Sequence, residues 1–156
     1  MKQIQISFAT VFGIGYMGKG AGTIAAAACC IVFFYFSPPD TSMHPVAVLA
    51  IILIAGTWSA GAVEKRWGQD NSKIVIDEVA GILVTLLFVP VEGKYIAIGF
   101  VLFRFFDIVK PLGIRKTEKL HGGLGIMADD VLAGVYSRLL LQLIVVFKPY
   151  FNERFS

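Results

Sequence analysis

The chain has 156 residues, of which 56% are hydrophobic and only 16% charged, with a formal net charge of +3 and a mean hydropathy of +0.74. That balance excludes an ordinary soluble domain, and the length leaves no room for a second domain of usual size. The cations are few and clustered, which suits anionic lipid headgroups and not a nucleic acid duplex.

Residues 1–18 are moderately apolar and broken by glycines. A span needs about 20 apolar residues, so this stretch is expected to form an interfacial or re-entrant helix. It lacks a basic region, a compact apolar run and a small-residue cleavage site, so insertion is expected through the chain's own apolar segments and not a cleaved signal. Lys19 to Thr23 is a glycine-rich turn. The first apolar run continues to about Phe36, with small residues from Ala25 to Ala28 that permit close helix approach in lipid. Cys29 and Cys30 lie inside it without metal or redox spacing and are expected to be packing residues. Ser37-Pro38-Pro39-Asp40 stops the run.

A second run extends from about Pro45 to Val63 and ends at Glu64-Lys65-Arg66. The third, Ile74 to Pro90, carries Asp77 and Glu78 near its start. The fourth, Tyr95 to Asp107, contains Arg104. A basic, glycine-containing loop follows, and the fifth run extends from about Met127 to Phe147, with an interfacial tail from Lys148. The expected fold is therefore all-α: one polytopic membrane helical bundle of about five segments, spanning residues 1–156.

Five crossings put Lys19, Lys65, Arg66, Lys73, Lys110, Arg115, Lys116 and Lys119 on one face, with Lys94 alone in the opposite loops. The positive-inside rule makes the richer face cytoplasmic. The same bookkeeping gathers five carboxylates there: Asp77, Glu78, Asp107, Asp129 and Asp130.

IDEVAG (Ile76 to Gly81) and ADDVLAG (Ala128 to Gly134) echo one another, each reading as an acidic pair at a helix start followed by small residues. Capping accounts for one acid per helix, because an aspartate there meets free N–H groups and the positive end of the dipole. It does not account for paired acids, nor for Asp107 at a helix C-terminus. Acids in or near a membrane are costly and mark function. Clustered carboxylates without soft ligands suit Mg²⁺, which binds oxygen donors and bridges phosphate. Two such ions would activate a water and stabilise a leaving oxygen.

Arg104 shares a helical face with Asp107, either as its ion-pair partner or as a phosphate ligand. Lys110 and Arg115 are further phosphate candidates. Gly22 and Thr23 open a helix whose N-terminus suits an anion, and Gly122-Gly123 offers backbone N–H groups. His121 adjoins that loop; a surface histidine is by default incidental. There is no P-loop, no nucleophile elbow and no cysteine–arginine phosphatase spacing.

Three pieces occur in order: Gly22-Thr23, DE-x-x-G at Asp77 to Gly81, and FRFFDIVKPLGIRK…HGGLGIMADDVLAG from Phe103 to Gly134. Together they resemble the phosphatidylglycerophosphatase A family, the membrane phosphatases of bacterial phospholipid synthesis. Ala21 stands where the family's first motif has proline. The resemblance implies Mg²⁺-dependent hydrolysis of phosphatidylglycerophosphate to phosphatidylglycerol and phosphate, in the bacterial inner membrane with the site facing the cytoplasm. It implies that Asp77, Glu78, Asp107, Asp129 and Asp130 are the catalytic and metal-binding residues, and it leaves open which is a ligand and which a general base. The phosphate itself is expected at Arg104, Lys110, Arg115, Gly22, Thr23, Gly122 and Gly123. A carboxylate-lined transporter for a cation or proton is the alternative, with a lipid phosphotransferase third; oligomeric state is left open.

Overall fold

The structure is a computed structural model. It describes residues 2–37, 44–68, 71–111, 113–114, 117 and 120–154, with the backbone alone at Lys2 and 148–154. The Pro38-Pro39-Asp40 stop signal and the loop cations Arg115, Lys116 and Lys119 lie outside the described residues. Among the described residues there are six α-helices and no strand: α1 (Lys2–Ala9), α2 (Ala21–Phe36), α3 (His44–Trp67), α4 (Ile76–Leu86), α5 (Gly93–Val109) and α6 (Gly123–Arg154), with a 3-10 turn at Ile14–Met17.

The expected segments are all present as helices. The N-terminal stretch divides into α1, of 8 residues, and the 3-10 turn. At 1.5 Å per residue α1 is about 12 Å long, far below the ~30 Å of a bilayer core. Among the described residues two helices are long and apolar enough to cross a membrane, α3 with 24 residues and the Gly123–Phe147 part of α6 with 25. Their outer faces carry exposed Val48, Ile51, Ile54 and Trp58 on α3, and Leu139, Leu143 and Ile144 on α6. A run of apolar side chains facing outward fits lipid as solvent.

Helix α4 behaves differently. It has 11 residues, and every one from Val79 to Leu86 is buried. A helix apolar on all sides is a core helix, and α2, α3, α5 and α6 all pack against it. Its start is clamped from outside the bundle, where the Val75 N–H donates to the Ala9 carbonyl at 2.9 Å. That bond fixes the N-terminal segment beside the end of the bundle from which α4 sets out.

The α4–α6 crossing rests on two glycines. A Cβ at Gly81 would lie 2.6 Å from the Asp130 carbonyl oxygen, and one at Gly134 would lie 2.3 Å from the Gly81 carbonyl oxygen. Both distances are impossible for a real side chain, so the two backbones are in direct contact. Thr85 closes the crossing from within, its hydroxyl donating to the Gly81 carbonyl at 3.0 Å and reaching the Gly134 carbonyl at 3.4 Å.

Two boundaries differ from the sequence reading. Helix α6 starts at Gly123 and not near Met127, and it runs through the expected interfacial tail to Arg154. Asp129 and Asp130 therefore sit in its second and third turns. The acidic pair at a helix start holds for α4 and not for α6, so capping accounts for neither aspartate of α6.

The crossing predicts a sharp contrast among alanine substitutions. Gly81→Ala and Gly134→Ala should each lower stability by about 1–3 kcal/mol, the usual cost of overpacking. Gly93→Ala, whose Cβ would meet nothing within 4 Å, should be neutral. Thermal midpoints of the detergent-solubilised proteins check this; equal midpoints for all three would contradict the close crossing.

Candidate metal and phosphate site

Four helix ends meet at one end of the bundle: the starts of α2, α4 and α6 and the end of α5. The crossing sets their register. Asp77 lies four residues before Gly81, and Asp130 lies four before Gly134. The two aspartates are thus equivalent positions on helices that touch back to back. The carboxylate oxygens of Asp77, Glu78 and Asp130 all lie within 4.8 Å of one another.

Helix α2 supplies a wall. A Cβ on Gly22 would fall on the Glu78 carboxylate, so only glycine fits. Glu78 consequently abuts the N-terminal turn of α2, where the helix dipole favours an anion. The Glu78 N–H donates to Asp77 Oδ1 at 3.1 Å. Glu78 Oε2 is buried with no hydrogen-bond partner.

The other two acids are held by cations. Arg104 Nη1 approaches Asp107 Oδ2 at 2.5 Å across one helical turn. This ion pair offsets the unfavourable dipole at the end of α5. Arg104 Nε, which takes no part in that pair, is buried without an acceptor. The Asp107 carboxyl also lies within hydrogen-bonding reach of Asp130. Lys110 Nζ donates to Asp129 Oδ2 at 2.6 Å. Lys110 reaches it from the left-handed C-cap of α5, with φ 47 and ψ 54. A side chain there costs roughly 1–2 kcal/mol, and such strain is characteristic of functional sites.

Asp77, Glu78 and Asp130 thus have no ion-pair partner among the described residues, although two like charges ~4 Å apart repel by about 4 kcal/mol even at an effective dielectric of 20. A set of hard oxygen donors with one buried oxygen unsatisfied fits a divalent cation such as Mg²⁺.

The remaining candidates are distributed unevenly. Gly22 is at the site, with Thr23 next to it on α2. Gly123 is used for packing, since its Cβ would strike the Thr57 carbonyl of α3 and crowd the Gly61 nitrogen. Gly122 precedes it with φ +79 and accepts the first N–H bonds of α6. His121 is exposed. Arg115 lies outside the described residues. The glycines of the crossing were visible in the sequence only as an echo; their signal was the shared D-x-x-x-G spacing at Asp77–Gly81 and Asp130–Gly134.

An all-α bundle of membrane character with a carboxylate cluster at one end is the class this geometry defines. The model of the phosphatidylglycerophosphatase A family matches residues 7–145, and the chain belongs to that family. It is 49% identical over 98 residues to a Bacteroides thetaiotaomicron protein provisionally named a phosphatidylinositol-3-phosphatase, covering 61% of this chain and 62% of that one. It is 48% identical over 75 residues to a Haemophilus influenzae phosphatidylglycerophosphatase A, covering 47% and 46%. It is 38% identical over 100 residues to the Escherichia coli phosphatidylglycerophosphatase A, covering 62% and 58%. The matched regions span less than two thirds of these relatives' lengths. No solved structure matches the chain.

The site predicts unequal roles for neighbouring acids. Asp130→Asn and Asp107→Asn should retain less than about one hundredth of wild-type phosphatase activity, beyond the 10–100-fold loss usual for residues supporting a metal from outside its ligand shell. Asp129→Asn should cost about tenfold, matching Lys110→Met, because the two variants break one pair. Phosphate release by folded variants in mixed micelles checks this; Asp129→Asn as severe as Asp130→Asn would contradict the assignment.

Proposed function

We propose that the protein is a Mg²⁺-dependent lipid phosphatase that hydrolyses phosphatidylglycerophosphate to phosphatidylglycerol and phosphate. One observation carries the reading: three clustered carboxylates, Asp130 buried and Asp77 and Glu78 half-buried, with no ion-pair partner among the described residues, beside an arginine whose buried Nε lacks an acceptor, in a member of this family.

Asp77, Glu78 and Asp130 would hold the ion. Bound there, Mg²⁺ supplies Lewis acidity toward a phosphoryl oxygen and makes water a better nucleophile. Arg104 Nε donates to a phosphate oxygen, supplying a fixed donor where charge develops. Asp107, between Arg104 and Asp130, accepts the proton of the attacking water at a carboxylate oxygen. The water oxygen bonds to phosphorus, the phosphorus–ester oxygen bond breaks, and the leaving glycerol oxygen takes the proton that Asp107 had accepted, which restores the carboxylate. Lys110 fixes Asp129 and so pins the end of α5 to α6. The N-terminal turn of α2, at Gly22 and Thr23, presents a positive dipole end to the same space.

On this reading the bundle lies in a bacterial inner membrane with this end at the cytoplasmic face, because the cations that the sequence assigns to its loops outnumber those opposite. Helices α2, α3, α5 and α6 cross it, and α4 enters from the same face and stops within the bundle.

The Bacteroides relative's name favours a second headgroup, a phosphatidylinositol 3-phosphate. It is also a phosphomonoester on a lipid, so the same residues serve it. Phosphate release from both lipids, measured in mixed micelles, separates the two. Release from phosphatidylglycerophosphate is expected to cease in excess chelator and return with added Mg²⁺. Full turnover in chelator would overturn the metal role, and no release from either lipid by folded protein would overturn the function.

A further inference from the structure

An apolar groove of about 500 Å³ runs between α2 and α3, within the ~300–1,000 Å³ range of ligand pockets. Val79 and Leu83 of α4 form its floor, and Ala25, Ala28, Cys29 and Val32 line it on α2. With Gly22, the α2 positions Ala25, Cys29, Val32 and Phe36 follow the spacing of one helical face. The groove therefore begins one turn beyond the glycine packed against Glu78, and its floor begins at the residue after Glu78. Small side chains at Ala25 and Ala28 leave room in it at the end nearer Gly22. Ser37 and His44 close the far end.

From Ala25 to Phe36 the groove extends about 16 Å. One leaflet is half of the ~30 Å hydrocarbon core, so the groove has the depth of a single leaflet. A second apolar recess, of about 400 Å³ between α2 and α5, starts only at Ala27 and includes Tyr35 and Gly93 at the other end of the bundle. It has no such connection to the acids.

The rim nearest the site is built at a cost. Val11 and Phe12 both border the groove in left-handed backbone conformations, with φ 46 and 53. Such conformations are genuine outliers for branched or bulky side chains. Phe12 is held in this position 81% exposed, as a membrane-facing side chain at the groove's mouth.

We propose that this groove is an acyl-chain subsite: it holds one chain of the lipid whose phosphomonoester lies at the carboxylates. The inference rests on the lipid phosphatase reading and adds where the substrate's apolar part is bound. A chain lying along α2 places its headgroup at Gly22 and Glu78 and its terminal carbons near Phe36. The site thus selects lipid over soluble phosphomonoesters through binding along the groove as well as by partition into the membrane.

The test uses the full chain in detergent–lipid micelles with a phosphatidic acid bearing a diazirine in one acyl chain. Photolabelling is expected to concentrate on Cys29, Val32 and Ile52, and to fall with added phosphatidylglycerophosphate but not phosphatidylcholine. Ala28→Trp, which fills the groove, should abolish that labelling and raise KM for long-chain phosphatidylglycerophosphate by about tenfold or more, the scale of a few methylenes turned out of an apolar wall. Its activity on a dibutanoyl analogue should stay within about twofold. Ala97→Trp, which fills the recess beside α5, should change neither. Ala28→Leu, a smaller filling, guards against a misfolded tryptophan variant and should show the same trend. Labelling spread evenly over lipid-facing residues such as Val101 and Leu139, or a photocrosslink between two copies of the chain through this groove, overturns the subsite. So does an equal loss on long and short substrates by folded Ala28→Leu. Groove labelling without phosphate release would instead retain the subsite and remove the phosphatase reading; phosphate release without groove labelling does the reverse.

Discussion

The direct contact of α4 and α6 at Gly81 and Gly134 is the constraint on which the site depends. Each helix carries its aspartate one turn before the contact, so closing the crossing brings Asp77 and Asp130 together. Without side chains at the two glycines, small-residue packing of the kind used between membrane helices holds the backbones close. Thr85 ties the same two carbonyls from the buried side. Local packing and function are therefore one problem here, since separating the helices enough to admit a methyl group would also spread the carboxylates.

That proximity costs stability, and the surroundings offset it in two ways. Asp107 and Asp129 are each matched by a cation from the end of α5, Arg104 and Lys110. Asp77 and Glu78 meet the dipoles of helix starts, and Asp130, inside α6, is left with them to whatever ion they hold. The left-handed backbone at Lys110 fits this picture, because it turns the side chain from the end of α5 back toward Asp129. A single lysine thereby joins two helices at the mouth of the site.

Much of this was legible in the sequence. The apolar runs became helices because their lengths and their proline and glycine boundaries leave the backbone few alternatives. The convergence of the acids followed from counting crossings, and Gly22, Asp77, Glu78 and Asp130 are indeed together. Other features depended on long-range contacts that no local pattern encodes. Gly122-Gly123 resembled an anion-binding loop, yet Gly123 is required where α6 passes against Thr57 of α3. The start of α6 moved toward the N-terminus for the same reason, because packing on α3 extends the helix through residues whose glycines suggest a turn. The tail beyond Lys148 reads as polar, but the helix continues through it to Arg154. Helix α4 looked like a short span, whereas its burial on every side makes it the centre of the bundle.

The central claim is that Asp77, Glu78 and Asp130 form one divalent-cation site. Its most direct test is titration of the purified protein with Mn²⁺, a paramagnetic substitute for Mg²⁺, followed by the loss of the free-ion electron paramagnetic resonance signal. The account predicts saturable binding that Mg²⁺ displaces, weakened at least about tenfold in Asp130→Asn and little changed in Lys110→Met. Binding of equal strength in wild type and Asp130→Asn would contradict it.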